Sequence, residues 1–229
     1  RESALLLNAF AKLAVQDELL MQSLLPWLLR RMTERTRLDD MALLSLSYAR
    51  LRGLGHQQVF DRVVATITPR MDVLNDGHTL SVLACAFVHQ GKVDTPLFSD
   101  LPLSHYEGAR DGDMNSGETR GVVHAPFLKS VLDQCDRNMW NMRSSDVVHL
   151  CLALATLKSM ARDDMIPPTL LTRLSKRMEA LYFEFLPAQL VTLLDLTSRI
   201  PELESRRGRI LSEITYRIRD VTPKSCLSV

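Results

Sequence analysis

Arginines supply the chemistry most readily read from this sequence. Arg30, Arg31, Arg35 and Arg37 crowd the first turnaround of the chain, Arg50 and Arg52 close the helical stretch after it, and Arg206, Arg207 and Arg209 form a second cluster ahead of Arg217 and Arg219. A guanidinium grips phosphate through two parallel hydrogen bonds and stacks on flat bases, so Arg30, Arg31, Arg35, Arg37, Arg50, Arg52, Arg206, Arg207 and Arg209 are candidate RNA-binding residues. The competing role for the same side chains is that of solvated helix ends or of salt bridges within protein. Tyr48 and Tyr106 are candidate stacking partners for bases, whereas Trp27 and Phe60 fall on apolar stripes and are expected in the core.

Groups that would do catalysis do not converge in the sequence. No phosphate-cradling glycine loop occurs, and Gly53-Leu54-Gly55 reads as a helix stop. Neither HExxH nor GxSxG is present. The six histidines are scattered, and His149 and Cys151 stand two residues apart on an expected helix, which aims them at different sides. The acid pairs Asp39-Asp40 and Asp163-Asp164 fall at helix starts, where capping and the helix dipole account for them. The four cysteines, Cys85, Cys135, Cys151 and Cys226, form no CxxC pair, a pattern of reduced, buried thiols in an intracellular compartment rather than of a zinc site or a disulfide framework. The expectation is therefore a non-enzyme without metal, cofactor or small-molecule substrate.

Positioning any of these residues falls to helices. Leucine dominates the 229 residues, aromatics are few and strict alternation is scarce, so almost no sheet is expected. The longest apolar run, Leu19 to Leu29, is broken by Gln22, Ser23 and Pro26 and falls short of a membrane span. Beginning at Arg1 rather than Met, the chain is expected to be a fragment or a processed product. The net charge of +1 conceals an acidic middle: residues 71 to 142 carry five Lys or Arg against ten acids, while residues 1 to 70 carry ten against seven and residues 143 to 229 thirteen against ten. A chain holding nucleic acid along its whole length would be more basic.

The helices repeat. In Leu38 to Arg52, Ala42, Leu46 and Ala49 form one stripe, flanked by Leu43, Leu44 and Leu51, with Asp39 in the place of an N-cap. Anchored on Ala49, the unit recurs at Ala11, Ala86, Ala155 and Thr197, with one insertion between Ala86 and Ala155. Asp76, Ser145 and Pro187 stand where caps or first-turn residues belong, and Val15-Gln16-Asp17-Glu18 breaks the period and caps the helix expected after the first unit. That helix should bury Leu20, Leu24, Trp27 and Leu28 and be kinked or restarted by Pro26. Helical pairs of this kind cannot hide their apolar faces alone, so the fold expected is all-α, an α-solenoid of about five helix-turn-helix repeats of roughly 37 to 42 residues. Residues 1–103 hold the first repeats, 104–124 an exposed insertion loop with four of the nine glycines, and 125–229 further repeats and a short tail.

The phrase LLLNAFAKLAVQDELLMQSLLPWLLRRM, with LLSLSYARLR and LCLALATLK after it, resembles organellar helical-repeat families: the octotricopeptide and heptatricopeptide repeats and the repeats of FAST-kinase-domain proteins. Asn8 to Leu13 with Asp17 to Leu25 carries most of the likeness, and Ser47 to Leu51 adds to it. The resemblance implies a mitochondrial location and work with organellar RNA, in a mitoribosome or an RNA-processing or editing complex, alongside protein subunits. No C-terminal RAP-like module is seen, and the pentatricopeptide signature is missing, so neither a nuclease activity nor a one-base-per-repeat code is implied. Two functions follow: a ribonucleoprotein component that binds RNA and partner proteins, and a protein scaffold without RNA contact.

Overall fold

The computed structural model of the chain describes residues 1–13, 17–51, 56–89 and 124–221. Ten α-helices carry the fold, and no strand occurs among the described residues. In chain order they are α1 (Glu2–Lys12), α2 (Glu18–Arg31), α3 (Leu38–Leu51), α4 (His56–Ile67), α5 (Gly77–Val88), α6 (Ala125–Arg137), α7 (Ser144–Ser159), α8 (Leu170–Ala180), α9 (Pro187–Ser198) and α10 (Arg207–Val221). Short 3₁₀ turns extend several of them, notably at 68–73, 139–141 and 201–206. Gly53, Gly55, Arg52, Tyr106, Cys226, the expected insertion apart from His124, and the tail lie outside the described residues.

Odd-numbered helices pack on one another in order, α1 on α3, α3 on α5, α5 on α7 and α7 on α9. The even-numbered helices lie behind them: α4 packs on α3, α6 on α5, α8 on α7 and α10 on α9, with α2 against α4 and α6 against α8. The small anchors explain how the front helices come so close. Ala49, Ala86, Ala155 and Thr197, all on front helices, are buried, while Ala11 of α1 is half-buried. Every residue of α5 except His78 is buried, because α3, α7 and α6 enclose it. Such a helix has no polar face, and its apolar residues run around it. Phe87 anchors the centre, with its ring 4.7 Å from Phe60 of α4 and 4.6 Å from Phe127 of α6.

Four buried hydroxyls of this core are satisfied locally. Ser45, Ser47, Ser81 and Thr156 each donate a hydroxyl to a carbonyl of their own helix, at 2.7 to 2.9 Å. Glycine is required at position 77, where a Cβ would meet Met142 at 2.9 Å from its Cγ and 3.0 Å from its Cα. There the backbone leading into α7 crosses the first turn of α5.

Several local expectations change. Asp17 and Asp76 cap α2 and α5, accepting the amides of Leu20 at 3.0 Å and Thr79 at 2.8 Å, and Pro187 opens α9. Asp39 is not a cap: it lies inside the first turn of α3, where its carboxylate is taken by Arg37. Ser145 also lies inside its helix, and Asp146 does the capping work by accepting the Arg143 amide at 2.9 Å. Pro26 neither ends nor restarts α2, which runs through it. In α2 the buried residues are Met21 and Leu28, seven positions apart; Leu20 and Leu24 are half-buried and Trp27 is 41% exposed. At the edge of the packing, the stripe faces one neighbour rather than two.

Candidate nucleic-acid interface

The turn after α2 is built from threonines. Thr36 donates its hydroxyl to the Arg31 carbonyl at 2.9 Å and accepts the Thr33 amide at 3.0 Å, closing residues 31–36 into a tight loop. Two arginines of the next pair brace it from behind: Arg62 donates to the Met32 carbonyl at 2.8 Å and Arg70 to the Thr36 carbonyl at 3.0 Å. A helix end leaves its last carbonyls without intrahelical partners and carries partial negative charge, so a guanidinium there is well placed. Arg30, Arg31 and Arg35 are left exposed on this turn, and no ion pair involves them among the described residues. The Arg31 guanidinium lies 4.6 Å from the centre of the Trp27 ring. Trp27, expected in the core, is thus a surface aromatic with the Arg31 guanidinium against it.

Two further candidates at this end, Arg37 and Arg50, are already engaged. Arg37 holds both oxygens of Asp39, at 3.0 and 2.7 Å, and this bond keeps the Asp39 carboxyl below its usual range. Arg50 is half-buried and acts on the Cys85 thiol through its charge. Tyr48 is fully buried, with its phenol pushed up to about 12 by desolvation, and so offers no stacking face.

At the other end, part of the second arginine cluster is engaged by protein, while Arg209 is exposed. Arg206 donates to the Ser175 hydroxyl at 2.7 Å and lies 3.2 Å from Glu179. Arg209 sits 5.6 Å from the Tyr182 ring centre, and Arg207 is half-buried. Arg217 binds the Phe185 and Tyr182 carbonyls and Glu213, tying α10 to the end of α8. Arg177 does the same one pair earlier, donating to the Met142 carbonyl at 2.9 Å. Arg62, Arg177 and Arg217 therefore share one job, joining each second helix to the end of the one before it across separations of 30, 35 and 32 residues. No pattern in the sequence marked them, since the carbonyls that they meet carry no side-chain signature.

Two shallow grooves accompany these ends. A groove of about 510 Å³ between the last two pairs is lined by Lys158, Asp163, Pro168, Lys176, Glu202 and Arg206. Lys158 is held there by Glu202 at 2.6 Å and Asp163 at 3.4 Å, so its charge is compensated. A smaller one of about 300 Å³, lined by Ser3, Leu6, Ser23, Leu24 and Trp27, opens beside the exposed arginines.

The histidines are less scattered than their positions in the chain suggest. His78 of α5 meets Asp146 of α7 at 2.9 Å, and His149 stands one turn further along α7. The bond to Asp146 raises the His78 imidazole above its ordinary value. The thiols of Cys85, Cys135 and Cys151 are buried and unpaired with one another, as the cysteine spacing implied. Desolvation pushes Cys85 and Cys151 up to about 12 and raises Cys135 as well. None of the three is a poised nucleophile. No helix of the described residues is long and apolar enough to cross a membrane.

Comparison of the chain with protein-family models, with curated proteins and with solved structures found no match.

Proposed function

We propose that the stacked pairs form an α-solenoid of about five repeats that serves, without catalysis, as a component of a mitochondrial ribonucleoprotein, binding RNA at its first turn and protein subunits elsewhere. The observation that carries the RNA contact is the exposure of Arg30, Arg31 and Arg35 at a braced turn, with the Arg31 guanidinium against the exposed Trp27 ring. Guanidinium groups can neutralise phosphates there while the indole offers a stacking face, the combination that single-stranded RNA requires. The organellar setting rests on the resemblance of the repeat to octotricopeptide, heptatricopeptide and FAST-kinase-domain repeats. The second cluster, Arg206, Arg207 and Arg209, contributes less to this reading, because Arg206 is held by Ser175 and Glu179 and Arg207 is half-buried.

The test is RNA binding by the parent and by an Arg30→Gln, Arg31→Gln, Arg35→Gln variant over a range of salt. Three lost phosphate contacts should make the slope of log K against log salt shallower by about 2 for a single strand. Unchanged binding at every salt concentration would sink the assignment of RNA to this turn. A protein scaffold without RNA contact is the second reading, favoured by exposed Leu5, Leu6, Leu13 and Leu19 on the first pair. Purification from the native source with and without ribonuclease separates the two, since partners docked directly on protein survive digestion.

A further inference from the structure

We propose that His78, Asp146 and His149 form a three-ligand site for a divalent transition metal, with Zn²⁺ the best-matched ion, placed across the contact between α5 and α7. One donor atom from each residue lies within 4.8 Å of the other two, although His78 is 68 residues away from Asp146 in the chain. Two imidazoles and one carboxylate are a borderline donor set, and three protein ligands leave a fourth position for water. Zinc holds nitrogen and oxygen at about 2.0 to 2.2 Å, which puts tetrahedral donors roughly 3.3 Å apart. The His78–Asp146 pair, at 2.9 Å, is already near that spacing, and a modest closing of the histidines completes it.

The surroundings support this use of the carboxylate. Asp146 is almost wholly buried, and its second oxygen is fixed by the Arg143 amide at 2.9 Å. Ser145 donates to its first oxygen at 3.3 Å. Partners of this kind orient a metal-binding carboxylate and are costly to lose. His149 follows Asp146 by three residues, so both side chains share one face of α7. His78 is the one residue of α5 that is not buried, and its side chain is 57% exposed, which gives the ion a route from solvent. The His78 and His149 rings stand 6.2 Å apart between centroids, inclined at 46°. A metal there would join two neighbouring front helices without displacing any core residue.

The experiment strips the purified chain with chelator and titrates it with Zn²⁺ alone, by calorimetry and by thermal unfolding, with Co²⁺ absorption as a check on nitrogen and oxygen ligation. One equivalent should bind and raise the unfolding temperature. His78→Gln and His149→Gln should each weaken binding by more than about tenfold, while Asp146→Asn keeps an acceptor for the Arg143 amide and isolates the lost charge from the lost cap. His78 is largely exposed, so its variant tests the site without threatening the fold. The proposal is overturned if no stoichiometric binding is seen, which leaves a structural His–Asp pair only. It is also overturned if binding is kept in His78→Gln and lost in Cys226→Ser, which would place the ion on a thiol.

Discussion

Around the turn after α2, Arg30, Arg31 and Arg35 lie exposed, whereas near α10 Arg206 and Arg217 are part-buried and hydrogen-bonded to protein groups. Both regions read alike in the sequence, as dense arginine at helix ends. They differ in what lies across from them. The C-terminal arginines face α8 and its trailing carbonyls, while the turn after α2 is itself braced by Arg62 and Arg70. An arginine cluster is thus available to an external anion only where no neighbouring helix end claims it.

That contrast can be broken from the C-terminal side first. Arg217→Ala should destabilise the chain by about 2 kcal/mol, because it leaves two buried-side carbonyls without their charged donor, and should lower the melting temperature by roughly 4 to 8 °C. A loss no greater than that of an exposed arginine would show that the tie is incidental. Ala161→Gly acts in the opposite direction. Ala161 has φ 52°, the left-handed residue that ends α7, with the Arg162 amide reaching the Leu157 carbonyl at 3.0 Å. Removing its Cβ should raise stability by about 0.5 to 1 kcal/mol, measured by denaturant midpoint. Arg206→Gln should cost only about 0.5 kcal/mol, since Glu179 is largely exposed.

Acid provides a finer comparison. The Lys158 ammonium holds Glu202 below its ordinary value of 4.5. A carboxyl depressed in the folded state contributes stability above its unfolded value, and that contribution disappears as pH falls through the folded one. Glu202 and Lys158 are 44 residues apart, whereas Asp39 and Arg37 are two, so acid should loosen residues 201–206 from α7 while leaving the entry to α3 in place. Hydrogen exchange of the two segments at pH 7 and pH 3 would read this directly, and equal protection changes would contradict it. The smallest stability effect belongs to the Arg30, Arg31, Arg35 glutamine variant, expected within about 0.5 kcal/mol of the parent. A large loss would mean that these arginines also serve the fold.

Periodicity of apolar residues made the helices and their pairing legible, because the spacing of Ala49, Ala86, Ala155 and Thr197 records a packing need that every front helix shares. The caps were legible where a side chain acts on its own helix, as at Asp17 and Asp76. They were misread at Asp39 and Ser145, where a partner from the adjoining turn competes. Trp27 was misassigned because a stripe shows which face of a helix is apolar and not whether anything covers it. The convergence of His78 with Asp146 and His149 depends on the α5–α7 contact, and the role of Arg62, Arg177 and Arg217 depends on backbone carbonyls; neither leaves a local trace in residue types.

The order in which the helices lean on one another also bears on how the chain is made. Within its row a front helix packs on the neighbours to either side, so during synthesis each pair acquires its contacts along the row once the following pair has emerged. The third pair breaks this rhythm. Its front helix, α5, is apolar all round, yet the helix that covers its back comes only after residues 90–123 have been translated. While that stretch leaves the ribosome, α5 has α3 and Phe60 of α4 against it but neither α6 nor α7, which makes this an interval of exposure to misassociation and to chaperones.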